Sequence, residues 1–242
     1  IYGLTYANNG ADATNDIDIA AGGAMDATGA YWMTGAASTK QSDVAWAVGS
    51  AAGALDTGAV GNSDYYIWLI ARSDTGVVDY LFSLSSTAPS MPASYDYKRL
   101  IGWFKRVGGT IVAFTTYEIS GGGVELLWSV PTLDFDLVAT LTTARRTDAV
   151  KVPLNFSTIA QINVAIVDVS SGAMAWVYCP DQADYAPSDS IAPLYNAGMT
   201  STITARQLYI RTDSSGLIAA RSNLTVDNYR VCTVGFTWAR RA

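Results

Sequence analysis

The sequence predicts an all-β protein, with an antiparallel β-sandwich or jelly-roll-like fold and two related lobes. Half of the 242 residues are hydrophobic and 15% are charged, and 21 Gly and 7 Pro supply many tight turns. No segment keeps a helical period for more than two turns. In addition, a strand–turn–strand cassette occurs in both halves in the same order. Strands joined at short intervals need partners on both faces, which favours a sandwich over a propeller.

Each cassette has a β-rich run, a glycine turn and an aromatic-rich run, followed by a Ser/Ala/Pro-rich loop and a second glycine turn. Glycine accepts φ > 0 without steric cost, as such turns require. We therefore expect the two copies to superpose as equivalent hairpins. The first copy spans residues 68–111 with turns at Gly76 and Gly109, and the second spans 164–218 with turns at Gly172 and Gly216.

The elements follow from β-branched and aromatic runs bounded by turn residues. Residues 1–40 form a weakly hydrophobic N-terminal segment with about two short strands, 41–143 the first β lobe and 144–242 the second. The pattern breaks at 145–149, which places the boundary there. In the first lobe the predicted strands are 43–48, 65–71, 110–119, 124–130 and 133–141, with a long loop at 49–62 and a hairpin at Gly121–Gly123. In the second they are 150–156, 161–169, 174–178, 207–211, 217–221 and 229–238.

Histidine is absent and the net charge is −6. The sequence therefore lacks the residue on which Ser-His-Asp and Cys-His catalysis and most zinc sites depend. The basic pairs 98–99, 105–106, 145–146 and 240–241 are scattered, so we interpret them as solvated strand ends and not as a nucleic-acid surface. No apolar run reaches the ~20 residues that span a bilayer, and residues are expected upstream of Ile1 because it is not Met.

No cofactor or metal is predicted. The Asp-rich turn at 12–16 lacks the ligand spacing of a calcium loop, and 19 of the 21 acidic residues are Asp, which favours turns and caps. Cys179 and Cys232 lie in apolar surroundings. We interpret them as buried thiols on neighbouring strands, with a disulfide as the alternative.

The two glutamates of the chain, Glu118 and Glu125, flank the triple-glycine turn. Paired carboxylates are the catalytic groups of glycoside hydrolases. If the three glycines form the turn, Glu118 faces Leu126 and Glu125 faces Ile119, on opposite sides of the hairpin. That register separates the carboxylates, so a non-enzymatic function is favoured and a glycan depolymerase is the less favoured alternative.

The chain has 14 Tyr and 7 Trp. Most of them, including Trp68, Trp128 and Trp176, alternate with aliphatic residues and are predicted in the core. Tyr95, Tyr97 and Tyr185 lie in the proline-containing loops instead. Exposed rings stack on the apolar faces of sugars, so these tyrosines are the candidate glycan contacts. Packing against their own loop or against a neighbouring subunit is the alternative.

The segment from Ile67 to Gly102, with its Asp-x-x-Gly turn, proline loop and Lys98-Arg-Leu-Ile-Gly102, resembles a segment common in tailed-phage virion proteins of the tail-fibre or hypothetical type. Residues 3–9, 16–22 and 211–216 resemble the same group. Trp103-Phe104 and the glycine hairpin depart from it. The resemblance implies a virion location and a fibre, spike, tip or decoration subunit, commonly trimeric and in contact with other virion proteins. A carbohydrate-binding receptor-recognition module is the alternative.

The low charge content also predicts a homo-oligomer, because a β-protein with few polar residues is short of groups to cover its surface and edge strands. Burial of apolar surface is not screened by salt. The assembly, most simply a trimer, is therefore expected to be insensitive to ionic strength.

Overall fold

A computed structural model describes residues 1–168, 173–188, 195–197 and 202–240 of the chain. Every regular element in these ranges is a β-strand, and sheets pack face to face, so the prediction of an all-β sandwich is confirmed. The jelly-roll-like connectivity stays a prediction. The chain divides into two compact units, Ile1–Ser129 with the residues from Ala239 onward, and Val130–Trp238.

The first unit contains a three-stranded sheet of order β1-β4-β5 and a larger sheet of order β11-β10-β8-β9-β7-β6-β3-β2-β12-β13. Strand β13 continues into the second unit. The strands are β1 (Tyr2–Gly3), β2 (Tyr6–Asn8), β3 (Asp16–Ile19), β4 (Gly22–Met25), β5 (Trp32–Gly35), β6 (Ser38–Ala45), β7 (Ala52–Leu55), β8 (Asp64–Ala71), β9 (Val78–Ser83), β10 (Tyr97–Val107), β11 (Thr110–Ile111), β12 (Phe114–Ile119) and β13 (Gly123–Val138).

The large sheet of the first unit is mixed, which corrects the prediction of purely antiparallel pairing. Strand β7 runs parallel to both of its neighbours, β6 and β9. The reason is that β7 lies within residues 49–62, predicted as a loop because of their small side chains, and inserts between two strands distant from each other in sequence. Its Gly53 fits there because a Cβ atom would lie 2.1 Å from the carbonyl oxygen of Ala45.

The N-terminal 40 residues are more ordered than their composition predicts. They contain five complete strands, β1–β5, and the start of β6. Ile17 and Ile19 of the alternating run in β3 are buried, and so are Ala24 of β4 and Met33 of β5. Alternation over four residues therefore suffices for pairing here, because neighbouring strands complete the core.

The second unit has the sheet order β13-β20-β15-β18 and a four-stranded sheet of order β14-β19-β16-β17. The unit boundary at 129/130 differs from the predicted one at 143/144 because β13 continues without a break to Val138. Its further strands are β14 (Arg146–Ala149), β15 (Ile159–Asp168), β16 (Ala173–Tyr178), β17 (Tyr195–Ala197), β18 (Thr202–Arg211), β19 (Leu217–Ser222) and β20 (Asn228–Trp238).

Two segments near the predicted boundary have secondary structure opposite to the prediction. Arg146–Ala149, expected to break the pattern, is β14 and pairs with Leu217–Ala220 of β19. The apolar run 150–156, expected to be a strand, is irregular. Pro153 interrupts it, and Asn155 has a φ of 68°, so extended pairing ends before β15 begins.

The two cassettes do not have the same strand pairing, which contradicts the predicted duplication. In the first copy β8 pairs with both β9 and β10. In the second copy β15 pairs with β18 and β20, whereas β16 belongs to the other sheet. Gly109 turns β10 back onto β11, but Gly216 leads from β18 to a strand in a different sheet. Gly172 lies outside the described residues.

Among the described residues of the first unit, three cationic side chains are buried. Lys40 forms an ion pair with Asp79 at 3.2 Å, with the two side chains 0% and 4% exposed. Arg106 donates hydrogen bonds to the carbonyl oxygens of Thr14 and Gly109. Arg240, 1% exposed, also binds main-chain carbonyls. The interpretation of the basic pairs as solvated strand ends is therefore wrong for Arg106 and Arg240, because backbone acceptors replace water around their guanidinium groups.

Two buried tyrosines differ in whether the hydroxyl group has a hydrogen-bond partner. They form a matched pair for measuring how a buried hydroxyl group affects stability. The Tyr6 hydroxyl accepts a hydrogen bond of 3.0 Å from the Trp103 backbone N–H. The Tyr229 hydroxyl is buried with no hydrogen-bond partner among the described residues. Because an unsatisfied buried hydroxyl is costly, we expect Tyr229→Phe to raise the free energy of unfolding by up to about 1 kcal/mol and Tyr6→Phe to lower it by about 1 kcal/mol. Urea unfolding of both variants measures the difference.

Tyr229→Phe is also expected to change how the stability of the protein depends on pH. Burial raises the pKa of Tyr229 above its ordinary value of 10.0. The unfolded chain then releases the phenolic proton at a pH where the folded chain keeps it, so wild-type stability falls above pH 10. Phenylalanine cannot ionise, and the advantage of Tyr229→Phe is expected to grow in that range. A constant or shrinking difference between pH 8 and 11 contradicts this expectation.

Candidate functional site

A groove in the second unit is lined by aromatic and polar side chains from β16, from the residues after it and from β18. Its volume is about 480 Å³. β16 is an inner strand of the four-stranded sheet, whereas β18 is the edge strand of the other sheet, so the groove is lined by strands of two different sheets. The lining residues are Trp176, Tyr178, Cys179, Gln182, Tyr209, Ile210 and Arg211.

The alternation of each strand separates the exposed lining residues from the buried ones. In β16, Ala175 and Val177 are buried, and Trp176 between them is half-buried. In β18, Ile210 is buried, whereas Tyr209 is 62% exposed and Arg211 is exposed. Since side chains alternate along a strand, Tyr209 and Arg211 project from the same face of β18.

Tyr185 extends the aromatic wall of the groove. Its ring stacks on Trp176 with a centroid distance of 6.0 Å and an interplanar angle of 24°, and 52% of the residue stays exposed. Tyr178 packs against the same indole at 5.0 Å. The structure therefore brings one of the three predicted glycan contacts, Tyr185, together with Trp176, which was predicted in the core.

Hydrogen bonds fix the floor of the groove. The Tyr178 hydroxyl donates to Asp184 at 2.8 Å, and burial raises the pKa of Tyr178 to about 12. Burial raises the pKa of Asp184 as well, but the hydrogen bonds from Tyr178 and Arg221 outweigh it and leave that pKa below its ordinary value. The Gln182 side-chain oxygen accepts from the Cys179 backbone N–H at 3.0 Å. Asp184 is thus an anion with two fixed partners.

The other two predicted glycan contacts serve the first unit's own packing. Tyr95 is buried, in an edge-on contact with Trp46 at 5.1 Å. Tyr97 stacks face to face on Tyr31 at 4.4 Å and 2°. Both rings therefore pack on residues of the first unit that lie outside their own loop, which is neither of the two alternatives considered.

A smaller cleft of about 340 Å³ lies beside Tyr95. Trp46 and the exposed side chains of Val48 and Val77 line it. Its single charged lining residue in the described part of the chain, Arg72, is bonded to Asp74 through Nε at 2.9 Å and Nη2 at 2.6 Å. This cleft is apolar and its cation is already paired, so it offers few polar groups to orient a ligand.

The hairpin at residues 121–123 forms as predicted, but its loop is Ser120–Gly122, so each residue of β12 pairs with a residue of β13 two positions earlier than predicted. Glu118 lies opposite Val124, and Glu125 lies opposite Tyr117. The two carboxylates therefore project from opposite faces of the hairpin. Glu118 accepts a hydrogen bond from the Gly3 backbone N–H at 3.0 Å. The arrangement does not bring the pair together for acid–base chemistry.

Cys179 and Cys232 are both free thiols. Cys232 lies on β20 and Cys179 directly follows β16, so they are not on neighbouring strands as predicted, because the two strands belong to different sheets. Burial raises the pKa of the Cys232 thiol. Within the described ranges, no three potential ligands cluster to hold a metal ion, and the Asp12 carboxylate caps the backbone N–H groups of Thr14 and Asn15.

Comparisons with protein-family models, with curated proteins and with solved structures found no match to this chain. In the described part of the chain, no helix is long and apolar enough to cross a membrane. The function is therefore argued from the site itself.

Sequence reasoning missed Tyr209 and placed Trp176 in the core. The signal for both was the two-residue period. In β18, Tyr209 falls between Leu208 and Ile210, and in β16 the small residues Ala173 and Ala175 share a face with Val177. Alternation thus marks Tyr209 and Trp176 as outward-facing, whereas aromatic character alone suggests burial.

Proposed function

We propose that the chain is a non-enzymatic structural subunit of a phage virion, a fibre, spike, tip or decoration protein that works as a homo-oligomer. The observation that supports this proposal best is an apolar patch on the three-stranded sheet of the first unit, formed by Tyr2, Met25 and Trp32. All three side chains are exposed. Exposed apolar patches of this kind mark protein–protein contacts.

The patch has the chemistry of a contact between copies of one chain. Tyr2 stacks on Trp32 at 5.9 Å, and Met25 is the direct cross-strand partner of Trp32. Gly23 leaves room for both rings, since a Cβ atom there would lie 2.7 Å from Trp32. No charged residue occurs in β1, β4 or β5. A second copy with the same uncharged surface is therefore a fitting partner.

We expect light scattering to give the mass of a trimer, three times 25.6 kDa, at both low and high salt. Tyr2→Ser with Trp32→Ser is expected to release monomers. Tyr117→Ser is the matched control, because Tyr117 is a strand tyrosine as exposed as Tyr2 and lies outside the patch. A stable wild-type monomer at both salt concentrations, or an assembly that dissolves as salt rises, contradicts the proposal. Labelling this chain in images of the parent particle tests the virion location.

A second candidate function, carbohydrate recognition, is favoured by the groove in the second unit. Trp176 and Tyr209 line the groove together with the polar side chains of Gln182 and Arg211, and the exposed Tyr185 stacks on Trp176. Ring faces that stack on sugar C–H groups, with a few polar groups to orient the hydroxyls, are a suitable arrangement for saccharides. Binding on a glycan array at micromolar affinity, lost in Trp176→Ala, tests this function.

A further inference from the structure

We propose that the groove selects saccharides that carry a carboxylate, such as uronic or nonulosonic acids, and that Arg211 is the specificity-determining residue. This inference rests on the carbohydrate-binding function proposed above. Arg211 is the single charged side chain among the groove-lining residues of the described chain. Its planar guanidinium group matches a carboxylate through two parallel hydrogen bonds.

The neighbouring arginines show why Arg211 differs. Arg221 forms an ion pair with Asp184 at 2.8 Å. Arg145 donates a hydrogen bond to the Pro180 carbonyl and lies over the Tyr178 ring at 5.5 Å. Arg211 has one long contact, 3.4 Å from Nη1 to the Ser157 hydroxyl, and pairs with no carboxylate among the described residues. Two of the three cations thus hold the groove together, and the third is available to a ligand.

The position of Arg211 also suits a sugar acid. Tyr209 precedes it by two residues on the same face of β18, so a ring that stacks on Tyr209 has its substituents beside the guanidinium group. Trp176 faces the same space from β16. Asp181 falls in sequence between the lining residues Cys179 and Gln182, and its carboxylate lies 3.8 Å from the Cys179 sulfur. The net charge of −6 means that attraction of an acidic ligand has to be local.

The test uses a panel of bacterial oligosaccharides that contain uronic or nonulosonic acids, each paired with its carboxyl-reduced form. We expect the wild-type chain to bind at least one acidic member about tenfold more tightly than its reduced form. Arg211→Gln is expected to remove that preference, and Arg211→Lys to keep part of it, since lysine retains the charge without the fork. Arg206→Gln, an exposed arginine of the same strand outside the groove, is the matched control.

The outcomes separate this inference from the functions on which it rests. Equal binding of acidic and reduced forms, with loss in Tyr209→Ala, overturns the role of Arg211 and leaves carbohydrate recognition standing. Binding to no member of the panel overturns both but does not affect the virion proposal, which the oligomer measurement tests. Because Tyr209 and Arg211 are exposed, their variants are expected to fold, and circular dichroism checks this.

Discussion

Replacing Arg240 with alanine is expected to lower the free energy of unfolding of the first unit by at least about 3 kcal/mol. The Arg240 guanidinium group donates to the carbonyl oxygens of Gly122 at 2.8 Å, of Leu4 and Gly3 at 3.0 Å, and of Gly123 at 3.4 Å. Each acceptor left buried without a donor costs about 1–3 kcal/mol, and the truncated side chain leaves a cavity.

Urea unfolding followed by tryptophan fluorescence measures this change, since the contacting rings of Trp103 and Trp128 are buried in the first unit. Arg240→Lys is expected to lose most of the same stability, because a single ammonium group cannot replace donors on three separate guanidinium nitrogens. Arg206→Ala, which removes an exposed arginine, controls for the loss of a charge. A change below about 1 kcal/mol for Arg240→Ala is incompatible with the role described for this side chain.

The second large effect is expected at the buried ion pair. Asp79→Ala should cost about 3–5 kcal/mol, because it leaves the Lys40 ammonium group buried without a counter-charge. Lys40 keeps the carbonyl oxygens of Ala47 at 2.9 Å and Gly49 at 3.1 Å and the Trp46 ring at 5.9 Å, none of which carries a negative charge. Asp74→Ala is the matched control: it breaks a bidentate but partly exposed pair with Arg72 and is expected to cost less than about 1 kcal/mol.

Two further measurements distinguish two causes of the stability loss in Asp79→Ala, an unpaired buried charge and a cavity. Lys40→Met combined with Asp79→Ala is expected to recover about 2 kcal/mol relative to Asp79→Ala alone, since the double variant buries no charge. Burial lowers the pKa of Lys40 from its ordinary 10.5, and removal of Asp79 lowers it further. The unfolded state then binds more protons than the folded state below pH 10.5, so the deficit of Asp79→Ala should shrink as pH rises. If the stability lost in Asp79→Ala does not depend on pH, the loss comes from packing and not from the charge of Lys40.

The sequence predicts well what neighbouring residues determine. The apolar run 65–71 is β8, and the glycines at 121–123 join β12 to β13. Both depend on local rules, namely the β preference of aromatic and β-branched residues and the turn preference of glycine. The partner of a strand is not local. Strand β16 therefore carries the cassette pattern of β9 and still pairs in another sheet, with β17 and β19.

The candidate site shows the same limit. Tyr185 was identified from its predicted loop, but Tyr95 and Tyr97 have a comparable sequence context and pack on Trp46 and Tyr31, partners far away in sequence. Arg211 becomes distinctive only when the partners of its neighbours are known. Composition and periodicity do not contain that information, because ion pairs such as Arg221 with Asp184 form between side chains 37 positions apart.

The position of Arg240, after the second unit in the sequence, also constrains biosynthesis. A domain ordinarily folds as soon as its residues leave the ribosome, N-terminal domain first. Here the four carbonyl groups at residues 3, 4, 122 and 123 accept hydrogen bonds from Arg240, which is translated only after all of the second unit. The N-terminal unit therefore completes this set of hydrogen bonds only after the second unit has been translated.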